Sequence, residues 1–160
     1  MQEFEHYITD AAAFYGLGTA PLRAVLYVES GGTRKPTPRW EPHKNEHSYG
    51  LGQILPSTAL WMLANPVRFP LPDRLRERTN RAVEDLPTKG EAAFNSLLHD
   101  AEVNIFLTAA YLRYQYDRYD GNITDAVAAY NAGSVRKTST GQYVNQWHVD
   151  KFHDALALYA

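Results

Sequence analysis

The sequence predicts a mostly α fold, compact and single-domain, with little or no β structure, and three observations carry that expectation. Apolar residues recur at helical spacing along most of the chain. No run of alternating β-branched residues marks a strand. Helix punctuation recurs as well, with proline near expected starts and glycine just past expected ends.

Taken in order, a first helix is expected over residues 3–14. A second begins at Pro21, which is favoured in a first turn, and stops at the Gly31-Gly32 pair. Residues 33–49 hold three prolines and no sustained period, so an irregular loop is expected there. A short helix follows Pro56 through STALWMLA. Residues 65–73 carry three more prolines, and residues 74–85 form a polar surface helix before a break at Pro87 and Gly90.

The strongest helical pattern runs from Asp100 to about Tyr119, with Val103, Phe106, Leu107, Ala110 and Tyr114 on one stripe, and predicts the central core helix. Next, Ile123-Thr124-Asp125 reads as a helix start with Thr124 as N-cap, closed by Gly133. A last helix is expected over residues 142–159, with Val149, Phe152, Leu156 and Tyr159 inward. No repeat, low-complexity tract or linker divides these elements, and one domain over residues 1–160 is expected.

At 160 residues the chain is long enough to bury roughly 70% of the surface exposed on unfolding. Apolar residues at 44% and charged residues at 21% exclude a disordered or membrane-embedded composition. The net charge is -2, and basic residues are scattered apart from Arg74, Arg76, Arg78 and Arg81, so nucleic acid is not the expected partner. The absence of cysteine excludes a disulfide framework and a thiolate nucleophile.

One residue breaks the pattern. In the second helix Leu22, Val25, Leu26 and Glu29 sit at i, i+3, i+4 and i+7, which puts Glu29 about 20° from Leu22 around the axis. Two readings follow. Either the helix rotates and Glu29 reaches solvent past the glycines, or the carboxyl stays on the core-facing stripe. In the second case desolvation and the negative end of the helix dipole both raise its pKa, and a carboxyl still protonated near neutral pH is a general acid.

Three stretches occur in a fixed order: VESGG at residues 28–32, SYGLGQ at 48–53 followed by ILPSTA, and AAYNAG at 128–133. Together they resemble the soluble lytic transglycosylase domain of the goose-lysozyme-like superfamily, which cleaves bacterial peptidoglycan, and the resemblance spans about two-thirds of the chain. It implies a lysozyme-like helical fold and Glu29 as the single catalytic acid/base. It places the family's small-x-Gly-Leu-x-Gln loop on Ser48, Gly50, Leu51 and Gln53, and the cleft-lining Tyr-Asn pair on Tyr130 and Asn131. Ser48, Gln53, Tyr130 and Asn131 are the substrate-binding residues so implied. The chain departs from the pattern at Gly52, where the family usually has Met or another bulky apolar residue. The segment from 65 to 90 lies outside the motif match.

Glycosidic cleavage needs a proton on the leaving oxygen and stabilisation of an oxocarbenium-like centre. The resemblance implies that the N-acetyl group of the substrate supplies that help, with Glu29 then deprotonating the muramic acid 6-hydroxyl to give a 1,6-anhydro sugar. Hydrolysis by a goose-type lysozyme is the nearest alternative, with Glu41 or Glu46 as a second acid. Bland roles are weighed beside these: Gln53 capping the helix at Pro56, and Tyr130 packing in the core. HKNEH at 43–47 matches the H-x-x-E-H zinc signature, but Pro42 before it and Tyr49-Gly50 after it deny the helix that signature needs. No metal site and no cofactor are expected. A non-catalytic wall-binding or virion module ranks below catalysis because Glu29 is present.

The expected partner is the peptidoglycan glycan strand, with no nucleic acid, no membrane insertion and a monomeric chain. The N-terminal MQEFEHYITDAAAFYGLG has acidic residues where a secretory signal is basic, and no apolar run, so no signal peptide is expected. The chain with Glu41-Pro42-His43 ahead of the SYGLGQ loop resembles phage-encoded members, released at host lysis or carried in the virion; a bacterial protein without its signal peptide would look the same, and the sequence does not separate the two. A virion or secretion-apparatus partner is not identified by the sequence.

Overall fold

The computed structural model describes residues 2–33 and 36–159. Helix α7 (Ala101–Arg118) is the centre of the fold. Its middle is buried on all sides, from Val103 to Ala110, so the expected stripe of Val103, Phe106, Leu107 and Ala110 is only part of its covered surface. Asp100 caps its start, the side chain accepting from Val103 N at 3.1 Å.

A 3-10 turn (Gln2–Phe4) leads into α1 (Glu5–Tyr15), which packs on α7. Helix α2 (Thr19–Ser30) starts two residues before the expected Pro21, because a proline in the first turn has no helical N–H bond to lose. It ends as anticipated at Gly31, whose φ of 65° is the left-handed conformation glycine adopts without a Cβ penalty. Helix α3 (Pro56–Leu63) has its proline in the first turn, and α4 (Asp73–Glu84) is the polar surface helix, burying only Leu75 and Thr79. The break at Pro87 and Gly90 proves narrower than expected. A single turn α5 (Leu86–Lys89) carries Pro87 near its start, Gly90 at φ 79° redirects the chain, and α6 (Glu91–Leu98) follows.

Helix α8 (Ile123–Ala132) corrects the sequence reading at its N-cap. Asn122, not Thr124, caps it, its Oδ1 accepting from Asp125 N at 3.0 Å, while Thr124 Oγ1 stands 3.0 Å from His153 Nε2. Helix α9 (Gln146–Tyr159) begins four residues later than expected because residues 142–145 belong to a loop bridged by the Lys137–Tyr143 pair. Val149 and Phe152 are buried and Leu156 and Tyr159 half-buried against the core, as expected. Helix α9 lies along α2, and α8 packs on both α7 and α9.

Part of the segment expected to be irregular is an antiparallel hairpin, β1 (Arg39–Glu41) and β2 (Glu46–Ser48), paired Arg39 to Ser48, Trp40 to His47 and Glu41 to Glu46. Three-residue strands are too short to display a period of two, and the flanking prolines mask them. The expected loop at Arg34 and Lys35 lies outside the described residues. With this small sheet the molecule is mostly α, as the sequence predicts.

Candidate active site

The floor of the site is the loop between β2 and α3. Tyr49 and Ile54 exchange backbone hydrogen bonds at 2.9 Å in both directions, closing Gly50-Leu51-Gly52-Gln53 into a tight loop. One polar residue of α7 holds it by hydrogen bonds. Asn104 donates to Tyr49 O and accepts from Gly52 N at 2.7 Å, and Thr108 lies one turn further on.

This packing explains Gly52. A Cβ there would stand 1.8 Å from Thr108 Oγ1, so the apolar residue usual at this position has no room against α7. Gly50 is constrained twice, by φ 76° and by Asn104 and Leu98 O within 2.5 Å of an added Cβ. Gly52 lets the loop backbone lie directly against Thr108 of α7.

Glu29 sits at the C-terminal end of α2 with only 4% of its side chain exposed, which decides between the two readings of the sequence. Its carboxyl lies between two elements. Arg39 Nη2 from β1 donates to Oε2 at 3.1 Å, and His148 Nε2 from α9 stands 3.5 Å from Oε1. Oε1 has no hydrogen-bond partner among the described residues. Burial pushes the Glu29 pKa up to about 7, with Arg39 opposing that rise by charge and hydrogen bond and Glu41 adding to it. His148 is pushed down to about 4 by burial and by the positive charges of Arg39 and Lys151, so it is neutral where Glu29 titrates.

Of the other candidates, Tyr130 interacts with this carboxyl by charge, and Ser48 is joined to it through Glu41 and Arg39. Ser48 is buried, its hydroxyl 2.8 Å from Gln53 Oε1 and 3.0 Å from Glu41 Oε1. Gln53, held at φ 50°, donates from Nε2 to Gly50 O at 2.9 Å, so its amide locks the loop and does not cap α3. Tyr130 donates to Gly52 O at 2.7 Å, tying α8 to the loop, and its hydroxyl pKa is raised well above the ordinary value, by burial first and then by the charge of Glu29. Asn131 accepts from Asn145 Nδ2 at 2.9 Å.

A cleft of about 650 Å³ opens beside these groups, lined by Arg39, Glu41, His43, Lys44, Asn131 and Trp147 among others. A recess of about 70 Å³, lined by Gln53, Tyr130 and Asn131, shares Lys44 and Asn131 with it. Glu29 lines neither; the Arg39 guanidinium that lines the cleft is bonded to it.

Sequence reasoning missed Arg39 and His148. His148 carried a usable signal, since His148, Phe152 and Ala155 form an apolar stripe at i, i+4 and i+7 interrupted by one polar residue, the same anomaly that exposes Glu29. Arg39 carried none, because its place depends on a hairpin hidden among prolines. Of the two proposed second acids, Glu41 is in the site, where it accepts from Arg39 Nε at 2.8 Å. Glu46 is not, being bonded to Ser57 at the start of α3. His43 and His47 fall on the hairpin, and no group of three His, Asp or Glu able to hold a metal exists among the described residues.

Two comparisons bear on this site. The fold is similar to the X-ray structure of an inactive Glu-to-Gln mutant of the lytic transglycosylase Slt from Pseudomonas aeruginosa, with a TM-score of 0.54 and 21% identity. That match covers 95% of this chain and 21% of the other, so the chain spans about a fifth of that protein. The sequence itself matches the family described as Transglycosylase SLT domain over residues 6–152. The chain therefore belongs to the transglycosylase SLT domain family, as the ordered VESGG, SYGLGQ and AAYNAG stretches imply.

Proposed function

We propose that this domain is a lytic transglycosylase that cleaves the β-1,4 bond between MurNAc and GlcNAc in peptidoglycan, with Glu29 as the single acid/base. The observation that carries this reading is a family member's buried carboxyl, held protonated to about neutral pH and lacking a hydrogen-bond partner on one oxygen. The inactive Glu-to-Gln Slt structure is consistent with a glutamate in that role.

In the proposed reaction the Glu29 carboxyl gives its proton to the glycosidic oxygen as the C1–O bond breaks, and the acetamido oxygen of MurNAc bonds to C1. The Glu29 carboxylate then removes the C6 hydroxyl proton, O6 attacks C1, and the acetamido oxygen departs. Glu29 ends protonated, and no water is consumed. Tyr130 positions the floor of the site through Gly52 O, and Ser48 and Gln53 hold its shape. Asn131 lines the cleft that would take the acetamido and hydroxyl groups, and its amide is the proposed hydrogen-bonding group there.

Hydrolysis is the competing reading because Glu41 brings a second carboxylate to the cleft. Its Oε1 is already bonded to both Arg39 and Ser48, so that oxygen would have to give up these partners to take a proton from water. Mass analysis of muropeptides released from purified peptidoglycan separates the two. Anhydro products support the proposal, and products heavier by one water overturn it.

The domain is read as one monomeric unit acting at the cell wall. Its resemblance to phage-encoded members makes release at host lysis, or carriage in the virion, the proposed route. No helix among the described residues is long and apolar enough to cross a membrane.

A further inference from the structure

Resting on the lytic transglycosylase reading, we propose that Arg39 is a displaceable gate and specificity residue. A carboxylate on the muramyl side arm of the strand draws its guanidinium off Glu29 Oε2 and into the cleft, uncovering the acid.

Four observations carry this. First, Arg39 lines the cleft and Glu29 does not, so a sugar entering the cleft meets the guanidinium before it meets the carboxyl. Second, the contact with Glu29 uses one nitrogen on one oxygen at 3.1 Å, whereas the Nε contact with Glu41 is shorter, at 2.8 Å. The guanidinium therefore has a pivot on its own strand and a weaker hold on Glu29. Third, its side chain is 48% exposed against 4% for Glu29, so rotation into the cleft adds little desolvation.

Fourth, Arg39 works against the proton that burial holds on Glu29. A general acid must carry its proton when substrate is bound, and a cation at hydrogen-bond distance favours the anion. The titratable and charged groups facing Glu29 are Arg39 and Glu41 from the hairpin, Tyr130 from α8, and His148 from α9, with Lys151 one turn beyond it. Among these described groups Arg39 is the cation bonded to the carboxyl, and its removal leaves a neutral His148 and an anionic Glu41. Both conditions favour a protonated Glu29.

The ligand this fits is a carboxylate, because a planar guanidinium exchanges one carboxylate for another at little cost. Peptidoglycan offers two sources: the lactyl group of peptide-free MurNAc and the free carboxylates of a stem peptide. A neutral strand lacks both, so it would leave Arg39 on Glu29.

The test compares wild type with Arg39→Met and Arg39→Lys on three substrates: peptide-free glycan strands, peptide-bearing strands, and strands amidated with carbodiimide. In wild type the basic limb of the kcat profile should lie about one pH unit or more above that of kcat/KM, since the first reports bound enzyme and the second free enzyme. In Arg39→Met the two limbs should coincide at the higher pH, with Arg39→Lys between. Amidation should lower wild-type kcat/KM by about fivefold and leave Arg39→Met unchanged, and the carboxylate-bearing strand that escapes this loss identifies the source.

A turnover-independent reading comes from the 13C titration of the Glu29 carboxyl, with and without saturating GlcNAc-MurNAc disaccharide, peptide-free or peptide-bearing, which has no MurNAc-GlcNAc bond to cleave. A rise on saturation in wild type that is absent in Arg39→Met supports the gate. No rise, or limbs that keep their separation in Arg39→Met, overturns it. Hydrolysed products from wild type would instead overturn the transglycosylase reading and leave the Arg39 comparison intact.

Discussion

The groove between α1, residues 65–72 and α7 is larger than the cleft beside Glu29, about 910 Å³ against about 650 Å³. Its walls are richer in aromatic surface, with Phe14, Tyr15, Phe69 and Tyr114, and several of its polar groups are paired. Arg113 bonds to Asp117 and Gly16 O, Arg118 to Gly133 O, and Tyr15 to Pro70 O. Among the described residues the misfits cluster beside the smaller cleft: a buried carboxyl with one oxygen lacking a partner, a buried neutral histidine, and a non-glycine residue at positive φ, whereas beside the larger groove Arg76, bonded to Phe69 O, has one buried unpaired nitrogen. The difference teaches that chemistry is located by unsatisfied polar groups, and that volume alone does not find it.

The largest effect expected from breaking this comparison is at Glu29. Glu29→Gln should lower kcat by at least about 10²-fold through loss of the general acid. The same change should stabilise the fold above neutral pH. The native Glu29 pKa of about 7 lies above its ordinary 4.5, so its contribution to stability is fully present below that ordinary value and is lost as pH rises through 7. Removing the ionisation should therefore raise stability at pH 8 by on the order of 1–3 kcal/mol, measured by thermal or denaturant unfolding. His148 acts with the opposite sign. Its pKa is lowered from 6.5 to about 4, so its contribution is lost as pH falls through that window. Glu29→Gln should thus unmask a stability that rises with pH between about 4 and 6.5, where the two groups otherwise oppose each other. A variant whose stability stays flat across that window would deny the burial argument for His148.

Next in size is Gly52→Ala. The added Cβ collides with Thr108, and overpacking of this kind costs about 1–3 kcal/mol, readable as a lower denaturation midpoint with activity lost in parallel as the loop lifts from α7. Tyr130→Phe comes third. It removes the hydroxyl that bonds to Gly52 O and should cost about 1–2 kcal/mol. A positioning role predicts a fall in kcat with KM nearly unchanged, whereas a rise in KM alone would assign Tyr130 to sugar binding. The smallest effect should come from the other groove. Val67→Asp, at a residue 96% exposed, should change stability by less than about 0.5 kcal/mol and leave lytic activity untouched. A loss of activity there would show that the larger groove takes part in function.

Much of the fold was legible because long amphipathic helices announce themselves locally. The central position of α7 follows from a stripe that can be read along the chain, and Glu29 stands out because it interrupts such a stripe. The ends of elements were less legible, since they are decided by competition between nearby side chains: Asn122 took the cap that Thr124 also offers, and the Lys137–Tyr143 bridge delayed α9. Helix α6 buries only Phe94 and Leu98, too few apolar contacts to stand out along the chain.

By itself, the sequence determined the helical class, the family motifs and the one carboxylate out of place, because each depends on spacing within a few turns of chain. Only the tertiary structure decided what surrounds that carboxylate. Arg39 lies ten residues from Glu29, and His148 lies more than a hundred residues away; both reach it through the hairpin and the α2–α9 contact. The electrostatic state of Glu29 depends on burial and on charges within a few ångströms, which packing brings together from segments whose local sequence says nothing of one another.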